Sequence, residues 1–303
     1  MNDINAFFAK YVNFTDSLCD RLGYNSPIRH LLYVIIPAFI IKYGMENEKT
    51  VIECFRNTKI YTKKDMPNGI EAYFGRDLLY DGKYYSEKYI VVKAQSAYLN
   101  FIDSIVHEFN HAINSMKNEI KILNNQVQLR TGLSYINYNI NEIDKSPSKS
   151  KEFVLEEVIN TKQSEDIINI ISNMSIEKVD NEELSNVFLA VSHEIKNIKY
   201  KSSAYYLESS VCRELLNNKT FLSTIEKLRL NGEIESIDYW FDNITGNLGD
   251  YKKMVESFYE IHLLERKLST KILFRKGLIV KMKGNAKNIN YIIRRFNNNC
   301  IYK

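Results

Sequence analysis

The chain has 303 residues, enough for one large domain or two closely packed ones around a substantial buried core. Hydrophobic residues make up 45% and charged residues 26%, which excludes the disordered and fibrous classes. The 41 basic and 37 acidic side chains leave a formal charge of +4, too small a surplus to argue for nucleic acid as the main partner.

The first ten residues carry Asp3 and a single cation, Lys10, with no basic segment leading into an apolar core, so a secretion signal is not expected. Residues 31–41 form the most apolar run, which contains Pro37 and stops at Lys42. Spanning a bilayer takes about 20 residues, so this run reads as buried core and no membrane span is expected. Residues 1–60 as a whole read as helical scaffold, broken at Pro27 and Pro37, with one further helix over 46–56. The pattern then changes. Segments 70–80 and 88–93 are rich in Tyr, Ile and Val and are separated by Asp81-Gly82, which predicts two antiparallel strands.

Next, Leu99, Ile102, Ile105, Val106, Phe109, Ile113 and Met116 recur at the three-and-four spacing of a helix with one buried face. A polar stretch over 139–151, with Pro147 and several serines, reads as a loop before a second long helix at 152–174. From 175 to 267 the pattern is mostly helical, interrupted near 243–249. Residues 271–303 hold nine basic and no acidic side chains, and read as a hairpin around Gly277 followed by a helix with Ile292, Ile293 and Phe296. This reads as a solvated basic face on a packed terminal element, with a contact for an acidic partner or nucleic acid as the sharper alternative. Cys19, Cys54, Cys212 and Cys300 are far apart and form no Cys-x-x-Cys pair, so neither a disulfide framework nor a thiolate zinc site is indicated and a cytoplasmic location is expected.

Residues 107–111 read His-Glu-Phe-Asn-His. Side chains at i and i+4 of an α-helix lie about 40° apart on one face, so two imidazoles can reach one metal ion from adjacent turns. His107 and His111 are therefore the candidate ligands for zinc. Glu108 projects beside them, where a carboxylate can serve as general base without taking a coordination position.

Through residues 105–113, Ile-Val-His-Glu-Phe-Asn-His-Ala-Ile, the chain resembles the zincin metallopeptidases. The Gly and third His that metzincins place shortly after the second His are missing, and the next His is His193. The better match is the gluzincin type, in which the third ligand is a Glu on a downstream helix. The resemblance places that Glu at Leu155-Glu156-Glu157-Val158-Ile159-Asn160, at a distance from His111 similar to that in the anthrax lethal factor catalytic domain. Glu157 is preferred because Glu-Val-Ile mimics the family order of Glu, a small residue and an apolar one. Periodicity leaves Glu156 open as the alternative, since adjacent helical residues point about 100° apart and no clean apolar stripe separates them.

The resemblance implies an α+β, mostly helical, zincin-like fold with a small antiparallel sheet before the active-site helix and a helical C-terminal lobe. It divides the chain into scaffold at 1–60, catalytic core at 61–175 and a basic-ended lobe at 176–303. It implies a Zn2+-dependent hydrolase acting on a peptide or protein substrate, with Tyr205 or Tyr206 as an oxyanion donor and His193 as a second candidate. It also sets the strand at 88–93 where zincins place an edge strand that pairs with extended substrate. The alternative reading is a regulatory or interaction protein that keeps the scaffold and binds zinc without turnover.

Overall fold

The computed structural model of this chain describes residues 4–67, 70–94, 98–141, 147–173, 205–270 and 275–300. The architecture is α+β and mostly helical, with two small sheets. The chain divides into two compact units, one of residues 1–113 and 163–201, the other of 114–162 and 202–303, so the stretch 61–175 contributes to both.

In the first unit, α1 (Ile4–Leu22), α2 (Ser26–Tyr43) and α3 (Glu48–Asn57) form the helical scaffold. Asn25 caps α2 by accepting a hydrogen bond from the Ile28 amide, and Pro27 sits in the first turn, where its missing N–H costs nothing. Pro37 does not break the helix as expected; it lies inside α2. A proline there forfeits one backbone hydrogen bond, but Ile35, Ile36, Ala38, Phe39 and Ile40 are all fully buried, and that packing holds the helix through the defect. No single helix among the described residues is long and apolar enough to cross a membrane; Pro27–Tyr43 and Met45–Asn57 pass such a test only as a pair bent by 111°.

The first sheet has the order β1 (Thr58–Lys63), β3 (Tyr84–Lys93), β2 (Ala72–Tyr80). Strands β2 and β3 are antiparallel about the expected turn, where Gly82 takes φ 72°. Strand β1, which alternation alone did not separate from the preceding helix, pairs in parallel with β3, Ile60 lying opposite Ile90. This corrects the reading of 88–93 as an edge strand: β3 is central, with both rows of backbone groups engaged, and the edges of this sheet are β1 and β2. Helix α4 (Tyr98–Ile113) buries Ile102, Ile105, Val106, Phe109, Ala112 and Ile113. Phe109 stacks on Phe55 at 4.1 Å between ring centroids and meets Phe39 edge-on at 6.4 Å, so one aromatic cluster joins α2, α3 and α4.

The second unit contains a sheet the sequence reading missed, β4 (Ile120–Leu123), β5 (Gln126–Thr131), β6 (Ser134–Asn139) and β7 (Ser148–Lys149), antiparallel and in chain order. Its first hairpin turns through Asn124 and Asn125, both at positive φ, a conformation asparagine tolerates better than other residues with a side chain. Helix α5 (Phe153–Asn173) follows within a residue of its expected start, and the unit boundary falls inside it, before Gln163. Helices α6 (Tyr206–Val211), α7 (Arg213–Leu216), α8 (Lys219–Asn231), α9 (Ile237–Thr245), α10 (Asp250–Thr270) and α11 (Arg275–Cys300) complete the described part of the unit. The expected interruption near 243–249 is organised by Asp242, whose carboxylate accepts from the amides of Gly249 at 2.6 Å and Tyr251 at 2.9 Å. The core gathers Leu155, Val158, Phe221, Phe241, Phe258, Ile293 and Phe296. The hairpin expected around Gly277 is absent: residues 275–300 are one helix. Gly277 weakens a helix without forbidding it, and the buried Ile289, Ile292, Ile293 and Phe296 anchor the C-terminal half.

Candidate metal centre

The amphipathic pattern of α4 settles where its polar residues go. The buried apolar side chains fix one face to the core, and His107 and His111 fall one turn apart beside it, His111 buried and His107 partly so. Their rings meet at 4.9 Å between centroids with planes at 79°. Glu108, on the intervening turn, is 8% exposed.

Asn110, fully buried on the same helix, is held from two sides. The Tyr43 hydroxyl donates to its carbonyl oxygen, and its amide nitrogen donates to Gln163 Oε1 at 3.1 Å. This chain runs from α2 through α4 to α5 inside the first unit, and fixes α4 against rotation about its own axis. Gln163 stands six residues after Glu157 on the same continuous helix.

The two candidate carboxylates on α5 have separate fates. Glu156 is 1% exposed and forms a two-pronged pair with Arg229, Nε lying 2.9 Å from Oε2 and Nη2 closing on Oε1. Its Oε2 also accepts from the Leu133 amide at 2.8 Å. Gly132, at φ 54°, lets the chain pass at this point; a Cβ there would collide with the Glu156 carboxylate. Fully buried Arg130 braces the same corner by donating to the carbonyls of Gly132 at 2.7 Å and Arg229 at 3.1 Å. Glu156 is thus committed to a guanidinium, whereas Glu157 points about 100° away around the helix.

His107, His111 and Glu157 each offer one ligand atom, and these atoms all lie within 4.8 Å of one another. Tetrahedral zinc with ligands at about 2.1 Å holds them roughly 3.4 Å apart, so adjustments of about an ångström would seat an ion. Two imidazoles and a carboxylate are a donor set of the right chemistry for zinc, and the set leaves a fourth position for water. Among the described residues no second group of His, Cys, Asp and Glu side chains converges in this way.

Tyr205 takes a left-handed backbone conformation at φ 52° and stacks its ring on His262 at 5.9 Å, against the core of the second unit. His193 and the side chain of Tyr206 lie outside the described residues. The sequence reading passed over Asn110, Gln163 and Arg229. A polar residue between Phe109 and His111, on the flank of the apolar stripe, was the one visible signal for the first. Nothing local marks Arg229, whose partner lies 73 residues earlier.

Compared with models of known families, with curated proteins and with solved structures, the chain matches none.

Proposed function

We propose that this chain is a zinc-dependent peptidase of gluzincin type, in which His107, His111 and Glu157 hold the metal and Glu108 is the general base. One observation carries the reading: three ligand-bearing side chains from two helices, of the identity and order the motif requires, have their donor atoms within 4.8 Å of one another. Support also comes from the pairing of Glu156 with Arg229, which takes that carboxylate away from the two imidazoles.

Zinc bound there would supply Lewis acidity, lowering the pKa of water and polarising a carbonyl oxygen. The protein's own part falls to Glu108. Its low exposure places the carboxylate in a poorly solvated setting, where a proton taken from the attacking water is handed on to the leaving amine. Asn110, through Tyr43 and Gln163, holds the helix that carries both imidazoles, so that they stay aimed while the base works.

Glu108→Gln keeps shape and volume and removes the base. The expected outcome is zinc content equal to that of the parent, with cleavage of a peptide library reduced by about 10²-fold or more. Cleavage at the parental rate by the variant, or by chelator-treated parent, rejects the assignment. Zinc binding with no cleavage by the parent leaves the regulatory alternative standing.

A further inference from the structure

The cationic C-terminal stretch lies on α11, whose two faces differ. Toward the core it sends Ile289, Ile292, Ile293 and Phe296. On the opposite side Lys283, Lys287 and Arg294 are all exposed, and at 100° per residue they fall within roughly 40° of one another. Ile279, Val280 and Tyr291 flank this line and are 41%, 70% and 63% exposed. Among the described residues Lys281 is paired with Glu260 at 2.9 Å, whereas Lys283, Lys287 and Arg294 have no carboxylate partner. Beside Ile279 runs a groove of about 250 Å³ walled by Leu207, Val211, Ile261, Leu268, Met282 and Ala286, with the stem of Lys283 along it.

We propose that this face of α11 docks on a bilayer surface rich in anionic phospholipid. The three cations lie along the helix as a row and gain from the negative potential of such a surface. Ile279 and Val280 stand beside them at the depth where aliphatic groups enter the boundary between headgroups and acyl chains. The groove extends that apolar contact, while Lys283 keeps its charged end at the headgroups. Nucleic acid would use the cations but leave two exposed aliphatic side chains and an apolar groove without a role, and among the described residues of this helix it would find only Tyr291 exposed for stacking. Charge and apolar exposure together therefore favour lipid. The inference does not depend on the metal centre.

Co-sedimentation of the full chain with vesicles tests it, using phosphatidylcholine alone and phosphatidylcholine mixed with phosphatidylglycerol, at low and high salt. Binding to the mixed vesicles should be at least about tenfold tighter than to the neutral ones and should weaken with salt. The double variant Lys283→Glu/Lys287→Glu should fall to the neutral-vesicle level at unchanged melting temperature. Ile279→Asp/Val280→Asp should lose several-fold in binding while its remaining affinity stays salt-sensitive. Equal binding to both vesicle types overturns the proposal, as does indifference to the lysine reversals. Displacement by inorganic phosphate or by a DNA duplex, with the Ile279→Asp/Val280→Asp variant behaving as parent, overturns it in favour of a simple anion site.

Discussion

Two clusters of polar groups meet α5 one residue apart, the first fully buried and the second partly exposed, and they are built on opposite principles. Around Glu156 the carboxylate receives the Arg229 guanidinium and the Leu133 amide, and Arg130 closes the corner against backbone carbonyls. The charge of Glu156 is met within the protein. Around Glu157 three lone-pair donors from different side chains converge instead. A saturated cluster fixes a helix; under the proposed function, the converging donors are the place for a metal ion. Pinning Glu156 sets the rotation of α5 and with it the direction of Glu157.

The comparison breaks most visibly at Arg229. Replacing it with Met leaves a carboxylate in the core without its counter-charge, and chemical denaturation should show a loss of about 3–5 kcal/mol. Adding Glu156→Met to the same chain should recover much of that loss. Neither result is expected if the pair is solvated. At the second cluster the effect should be linked to metal. Zinc at a hundredfold excess over its dissociation constant stabilises a folded binder by about 2.7 kcal/mol. That shift in thermal unfolding should vanish in Glu157→Gln and persist in a conservative substitution of any other acidic residue on α5 outside the pair. A zinc response in Glu157→Gln equal to that of the parent would remove the third ligand.

A third cluster gives the smallest effect. Glu265 has its carboxyl held above the ordinary value of 4.5, by burial first and then by the neighbouring Glu208, which is itself fully buried and 3.1 Å from His262 Nδ1. A carboxyl whose folded pKa is raised contributes stability that is complete below its unfolded pKa and lost as pH rises through the folded one. Glu265→Gln should therefore stabilise the protein at pH 7, by about 0.5 kcal/mol given the exposure of the side chain. The gain should disappear as pH falls below about 4, which thermal melts at the two pH values measure.

Much of this was legible before the structure. The motif helix announces itself by apolar spacing, because it buries a broad face, and the helix at 153–173 by the polar loop that precedes it. The second sheet was not legible. Its strands at 120–123, 126–131 and 134–139 are short, carry polar residues on their open face, and turn through Asn-Asn and Gly-Leu, weaker signals than Asp-Gly. Strand β1 went unseen because it follows α3 with no turn between them, and that omission made β3 look like an edge. Gly277 suggested a turn where a long helix, held by its far end, runs straight through. At the site, residue types and spacing singled out the two histidines that the structure brings near Glu157, but the pairing of Glu156 with a guanidinium 73 residues away was not legible. No local pattern encodes such a partner.

Gly132 bears on that last point. Its backbone lies where only glycine is at ease, and the space a methyl group would take is already filled by the Glu156 carboxylate. Two unrelated costs thus forbid the same change. The glycine at the turn between β5 and β6 and the acid behind it are therefore a matched pair, and a side chain added at the first would displace the second from its guanidinium.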